Sequence, residues 1–352
     1  SPGQLRTDEP TAALGKAAAP NRLTGQPAVE PRPAVGPPAD PATLEAAILQ
    51  AVFAEPAEDT HRLAYADWLE ERGEPAGVAR AEFIRAQVEL ARSPGEDQRG
   101  RELQARAAKL WKLHRTRWLE GVPHNLRPAD LCFHRGFLDE LRLTAVALLR
   151  HGDALFRRHP LRRVRLSGRL SPQEASELAV CPFLARLSAL SLPPEGLWDV
   201  HVPRLLLRTP YLSQLAELSA AGTYLGRRGI AGLASCPFLG ALTALDLDNC
   251  GLGDRGLEAL LTAPDLSRLA TLRLGGNQLG NPAVTALLAS PRLTNLKALS
   301  LANNRFGPRA AQALADAPQL ANLTSLELQG NKVGVRADKA LRQRFGARVR
   351  LE

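Results

Sequence analysis

Leu242-Thr-Ala-Leu245-Asp-Leu247 is followed by Leu269-Ala-Thr-Leu272-Arg-Leu274, then Leu296-Lys-Ala-Leu299-Ser-Leu301, then Leu323-Thr-Ser-Leu326-Glu-Leu328, each copy 27 residues after the one before. Within a copy, leucine alternates with a variable residue, the period-2 pattern of a strand with one buried face. Cys250, Asn277, Asn304 and Asn331 follow the copies at the same interval of 27. Later in each unit a small residue precedes proline: Cys181-Pro182, Thr209-Pro210, Cys236-Pro237, Ala263-Pro264, Ser290-Pro291 and Ala317-Pro318. On this ruler, less regular units begin at Leu138, Leu161, Leu187 and Leu215, giving eight in all, and Arg348-Val349-Arg350-Leu351 is expected to add a closing edge strand.

A fixed period of this length around an LxxLxL core is the mark of a leucine-rich repeat. Each unit is long enough for a strand and a helix. Gly280-Asn281-Pro282 is expected to supply an Asn cap and a first-turn proline before Val284, Leu287 and Leu288, and the later prolines to stop each helix. Joining parallel strands through helices puts the sheet on one side and the helices on the other. The expected fold is therefore α/β: a leucine-rich-repeat solenoid over 138–352, parallel sheet concave and helices convex, with a small all-α cap module and a disordered tail before it. Asn277, Asn304 and Asn331, with Cys250 in the same slot, read as a structural ladder, because a buried amide must be paired and adjacent backbone turns can pair it.

Residues 1–41 hold nine prolines and no aromatic residue, too little apolar surface to offset the entropy of ordering, so a disordered tail is expected there. A helical region follows over 42–92. Leu44, Ile48 and Val52 mark a first helix ending before Pro56. Asp59 or Thr60 is expected to cap a second, which carries Tyr65, Trp68, Leu69 and Arg72 on one face and stops at Gly73. A third runs from about Val78 to Arg92 and breaks at Ser93-Pro94-Gly95. A fourth, within a linker or cap over 93–137, carries Leu103, Ala107, Leu110, Trp111, His114 and Trp118 and ends at Gly121.

Leu63-Ala-Tyr65-Ala-Asp67-Trp68-Leu69-Glu70-Glu71-Arg72-Gly73, followed by Arg80-Ala-Glu82-Phe83-Ile84-Arg85-Ala-Gln87, resembles the bacterial repeat-companion domain, a short helical module found before leucine-rich and other repeats. Phe133-His-Arg135-Gly136-Phe137-Leu138 resembles the segment that joins this module to its repeats. The repeats themselves resemble the ribonuclease-inhibitor type, whose members bind proteins. The resemblance implies protein binding and no particular catalytic activity.

The chain has 352 residues, a net charge of +9, and an excess of 45 basic over 36 acidic side chains, of which 39 are arginine and 6 lysine. That skew suits a GC-rich genome as well as a selected basic surface. Residues 44–92 carry a net −5 and residues 93–187 a net +8. No apolar run reaches membrane-spanning length, so no membrane partner is expected. The chain begins at Ser1 and contains no methionine, so its natural start is expected to be upstream or processed. Cys132, Cys181, Cys236 and Cys250 form no CxxC pair, which argues against a zinc site, and no cofactor or metal is expected. Cys181 and Cys236 share a slot two units apart, about 10 Å, too far for a disulfide. They read as small buried residues, which suits a reducing, cytoplasmic setting.

Asp67, Glu70, Glu71 and His61 form the densest ionisable cluster, but on one helical turn they read as a solvated face rather than an acid–base pair. Phosphate-loop, HExxH and nucleophile-elbow patterns are missing. The run Arg157-Arg158-His-Pro-Leu-Arg162-Arg163-Val-Arg165 lacks interleaved aromatics, so nucleic acid is the less favoured partner; pairing with the acidic helical module is the other reading of that run. The central outward strand position reads Arg142, Arg165, Ser191, Ser219, Asp246, Arg273, Ser300 and Glu327, with flanking positions mostly Ala, Ser, Thr and Gly. Candidate partner contacts are Arg142, Arg163, Arg165, Asp246, Arg273 and Glu327, arginine being a residue that interface hot spots favour. The function read from the sequence is a non-enzymatic, monomeric protein-interaction scaffold; the alternative is a nucleic-acid-associated protein using Arg157–Arg165.

Overall fold

The computed structural model describes residues 40–92, 97–124, 126–194, 206–207 and 209–352. Two compact units divide between Leu44 and Glu45. The expected tail lies, up to residue 39, outside the described residues, as does the break at Ser93-Pro94-Gly95.

Ten strands form one sheet in sequence order: β1 (Leu131–His134), β2 (Phe137–Thr144), β3 (Arg163–Ser167), β4 (Ala189–Ser191), β5 (Glu217–Ser219), β6 (Ala244–Asp246), β7 (Thr271–Arg273), β8 (Ala298–Ser300), β9 (Ser325–Glu327) and β10 (Val349–Arg350). From β2 onward every neighbour is parallel and in register. One inward row runs Leu141, Val164, Leu190, Leu218, Leu245, Leu272, Leu299, Leu326, Val349. This row is buried in one continuous apolar cluster with helix residues such as Leu148, Leu178, Ile230, Leu260, Leu287, Leu314 and Leu341. Single units have no such core; neighbours complete it for one another.

Between the strands lie α5 (Ala145–Arg158), α6 (Pro172–Ala179), α7 (Gly226–Ala234), α8 (Gly253–Leu261), α9 (Asn281–Ala289), α10 (Pro308–Asp316) and α11 (Val335–Phe345). Two local expectations need correction. Asn281 does not cap its own helix: Gly280 holds the cap position without a side-chain bond, and the Asn281 Oδ1 accepts from the Gly307 N–H at 2.7 Å, one unit on. The prolines after the small residues do more than end helices. Pro182, Pro210, Pro237 and Pro318 each open a short 3-10 turn leading into the next strand, because a fixed φ suits a first helical position.

Four helices precede the sheet: α1 (Pro41–Ala54), α2 (Asp59–Glu71), α3 (Pro75–Arg92) and α4 (Gln98–Trp118). The cap of α2 is Glu58, whose carboxylate accepts from the Thr60 N–H. α3 begins three residues before Val78, at Pro75, since proline is at ease in a first helical turn. The residues expected to be a linker form β1 and the turn into β2, paired antiparallel. Two residues with positive φ make that turn, Arg135 (50°) and Gly136 (86°), as tight hairpins require. The turn sits directly on α3. The Gly136 N–H donates to Gln87 Oε1 at 2.8 Å, and a Cβ at Gly136 would come within 2.6 Å of the Ile84 Cα. Phe137 packs with Tyr65, Ile84 and Val88, while Phe133 meets Trp111 at 4.6 Å between ring centroids.

Candidate functional site: the open face of the sheet

Alternation along each strand sends leucines to the helices and the intervening residues to the other face. Register then aligns those outward residues into rows. The central row runs Arg142, Arg165, Ser191, Ser219, Asp246, Arg273, Ser300, Glu327, Arg350 across nine strands. A second row, two residues earlier, runs Glu140, Arg163, Ala189, Glu217, Ala244, Thr271, Ala298, Ser325.

Charges on this face are matched locally. Arg163 lies 3.4 Å from Glu140 and 2.6 Å from Glu217, two strands away, and Arg165 also pairs with Glu140. Arg273 reaches Asp248 at 3.0 Å and Asp246 at 3.9 Å, while Arg350 reaches Glu327 at 3.3 Å. Burial, before any neighbouring charge, pushes the Asp246 carboxyl above the usual carboxylate range, and Ser219 donates to it at 3.3 Å. Between the arginines of β3 and Arg273, the strands carry Ala189, Ser191, Ser219 and Ala244, and the face dips into a shallow depression there. Small side chains between fixed guanidinium groups leave room for a large side chain from another molecule.

Spacing alone brings Arg142, Arg165, Asp246, Arg273 and Glu327 side by side in one row, with Arg163 in the next. Sequence reasoning missed Glu140 and Glu217, the carboxylates that hold Arg163; the available signal was their offset of two residues from Arg142 and Ser219. Asp248 was missed as well. It holds Arg273 and accepts from the Gly275 N–H at 2.6 Å. Large aromatics are missing from the rows, yet Tyr224 stands 67% exposed in the loop after β5.

Among the described residues no ion pair joins the basic run to the acidic helices. Besides the pairs of Arg163 and Arg165, Arg158 meets Glu120 at 3.6 Å. The acidic helices find other partners: Arg85 for Asp67 and Glu70, Arg99 for Glu89, Arg106 for Glu82 and Arg135 for Asp59. His61 sits 3.3 Å from Glu55, so Asp67, Glu70 and His61 do not converge on one point.

Beneath one edge of the face runs the amide ladder. Asn277 Oδ1 accepts from the N–H groups of Cys250 and Leu252 (2.9 and 3.3 Å), and its Nδ2 donates to the Leu247 carbonyl at 2.7 Å. Asn304 repeats this one unit on, accepting from Asn277 and Leu279, both at 3.0 Å, and donating to Leu274 at 3.0 Å. Asn331 donates to Leu301 at 2.8 Å, but its Oδ1 has no partner. Cys250 fills the same slot as a donor only, its Sγ bonding the Ala220 carbonyl at 3.1 Å; burial pushes its thiol pKa up to about 12. Cys236 is buried, but Cys181 is only partly so, against the expectation that both are buried. Among the described residues no helix is long and apolar enough to cross a membrane, and no group of three or more His, Cys, Asp or Glu side chains is placed to hold a metal ion.

A family model described as "Leucine Rich repeat" matches residues 242–261 and 292–315. No curated protein matches the chain. Similar solved structures include a Bacteroides fragilis protein at 14% identity and a TM-score of 0.40, covering 73% of this chain and 85% of that one. Another is an internalin from Listeria monocytogenes at 20% identity and a TM-score of 0.30, covering 55% of this chain and 67% of that one. With its strands in 27-residue register through both matched segments, the chain carries leucine-rich repeats.

Proposed function

We propose that this chain is a non-enzymatic interaction scaffold whose open sheet face binds a protein. The observation that carries the reading is the depression on β4–β6, where Ala189, Ser191, Ser219 and Ala244 stand beside Glu217 and Asp246, set between arginines that carboxylates already hold in place. Held arginines lose little entropy on binding, and arginine is among the side chains that dominate interfaces. Their charge is largely spent within the chain, which leaves little for a run of phosphates. In this reading the four-helix segment is a module of repeat-companion type. It covers the first-strand end of a solenoid of ribonuclease-inhibitor type, sparing the leucine core from water as terminal caps of repeat arrays do. A monomer in a reducing cytoplasm completes the proposal, in keeping with four free thiols.

Affinity capture from a bacterial lysate tests it, using the wild type and a Ser191→Arg/Ser219→Arg variant that fills the depression, each with and without nuclease. The expected result is a protein captured by the wild type, insensitive to nuclease and lost from the variant. Equal capture by both, or capture abolished by nuclease, overturns the reading.

A further inference from the structure

Arg80, in α3, has no carboxylate partner among the described residues. It lines a cavity of about 360 Å³ between the helical segment and the start of the repeats, with Tyr65, Trp68, Trp118, Phe137 and His159 among its walls. The residue as a whole is partly exposed, but its Nη1 lies out of solvent without a hydrogen-bond partner. Four rings surround the guanidinium instead: Trp118 at 4.8 Å from its centroid, Phe137 at 5.5 Å, and Phe83 and Phe133 each at 5.6 Å. Among the described residues it has no ion pair. Burial lowers its pKa to about 10, which still leaves it charged near neutral pH. Ring faces attract the cation but supply no counter-charge, and a guanidinium group out of solvent with no anion beside it is unfavourable.

The other cations lining the cavity each have a carboxylate within reach, Arg72 and Arg117 sharing one. Arg72 lies 3.3 Å from Glu74, Arg117 3.8 Å from the same carboxylate, and Arg158 3.6 Å from Glu120. Glu45 accepts from the Tyr65 hydroxyl at 2.9 Å. Four arginines and three carboxylates line this aromatic-walled cavity, a net of one positive charge, and Arg80 is the arginine without a carboxylate beside it among the described residues. A dianion such as phosphate would be repelled by those carboxylates; a planar monoanion with an apolar body would match the guanidinium fork and the rings together.

We infer that this cavity binds a carboxylate attached to an apolar group, with Arg80 as its anchor. Such a group has two sources, a free aromatic or aliphatic acid and the C-terminal carboxylate of a peptide. The site lies away from the open sheet face, so it stands or falls independently of the scaffold reading.

Trp68 and Trp118 report directly on the cavity, so tryptophan fluorescence of the full chain, supported by thermal shift, is the assay. Four probes are titrated: benzoate, its neutral isostere benzamide, and the peptide Gly-Gly-Phe with a free or an amidated C-terminus. Inorganic phosphate is a fifth arm. Saturable binding of benzoate or of the free-acid peptide is expected, with at least tenfold weaker binding of the matching amide and of phosphate. Which of the two acids binds identifies the source. Arg80→Gln should lose the binding at least tenfold, and Arg80→Lys should keep part of it. Equal binding of acid and amide, tighter binding of phosphate, no binding of either acid, or undiminished binding by folded Arg80→Gln each overturns the inference. The comparison of acid with amide on the wild-type protein decides the matter even if the variants fail to fold.

Discussion

Replacing Asn304 by alanine should be among the most damaging single changes on the polar side of the repeats. Its side chain accepts from two N–H groups, those of Asn277 and Leu279, and donates to the carbonyls of Leu274, Leu301 and Ala302. Two of those carbonyls keep another donor, since Asn331 also bonds Leu301 and the Gly276 N–H bonds Ala302. Three groups are left without a partner: both N–H groups and the Leu274 carbonyl. At about 1–3 kcal/mol for each buried orphan, less what relaxation recovers, the cost is about 3–5 kcal/mol. Asn331→Ala provides the internal control. That side chain is partly exposed and its Oδ1 accepts nothing, so the loss should be about 1 kcal/mol. Urea denaturation gives the two costs, and amide hydrogen exchange localises them, because repeat arrays need not unfold in one step. In Asn304→Ala the amides of Asn277 and Leu279 should lose protection first. A smaller cost at 304 than at 331, or unchanged protection of those two amides, would refute the reasoning.

Further outcomes follow from the same structure. Leu299→Ala, in the buried inward row, should destabilise by about 2–5 kcal/mol in urea, the usual cost of truncating a core leucine. Gly136→Ala should destabilise and loosen the helical segment from β1–β2, because a Cβ there meets the Ile84 backbone at 2.6 Å and φ is positive; a drop in Trp118 fluorescence anisotropy or faster exchange in α3 would register it. Burial, with Arg80 and Arg158 nearby, holds the His159 imidazole down to about 4. In the unfolded chain it titrates near 6.5, so stability should be full above that pH and fall by up to about 3 kcal/mol as pH drops from 6.5 to 4. His159→Asn should flatten this slope in pH-dependent melting; an unchanged slope would assign it elsewhere. Oligonucleotides should bind weakly and be released by near-physiological salt, with little difference between the wild type and an Arg158/Arg162/Arg163/Arg165→Ser variant, in a labelled titration.

The register of the last four repeat strands was legible, because a 27-residue interval repeated without error admits one alignment of Leu245, Leu272, Leu299 and Leu326. The central outward row from Ser219 to Glu327 follows from the same interval, while Arg142, Arg165 and Ser191 were placed by the leucine pattern of less regular units. Partners that depend on side-chain reach were not legible. Arg163, on β3, bridges Glu140 on β2 and Glu217 on β5, a separation of 54 residues in sequence for the second pair, and no local pattern encodes that. Asn281 misled because an Asn before Pro looks like a cap, whereas the repeat offers its carboxamide a backbone N–H one unit on. The strand β1 was hidden because Leu131–His134 is short and gains its pairing only from the turn at Arg135-Gly136. Arg80 stood in the sequence only as the start of the 80–87 motif, since arginine within a charged helix reads as exposed; only the convergence of Phe83, Trp118, Phe133 and Phe137 makes it unusual.

The central claim is that the open sheet face, not the helix side, meets the partner. Site-specific photo-crosslinking tests it most directly, with a benzophenone side chain placed either at Ser219, in the depression, or at Glu258, exposed on α8. The account predicts a discrete, nuclease-resistant protein adduct from position 219 in cells and none from position 258. An adduct from 258 alone, or one from both positions with equal yield, would contradict it.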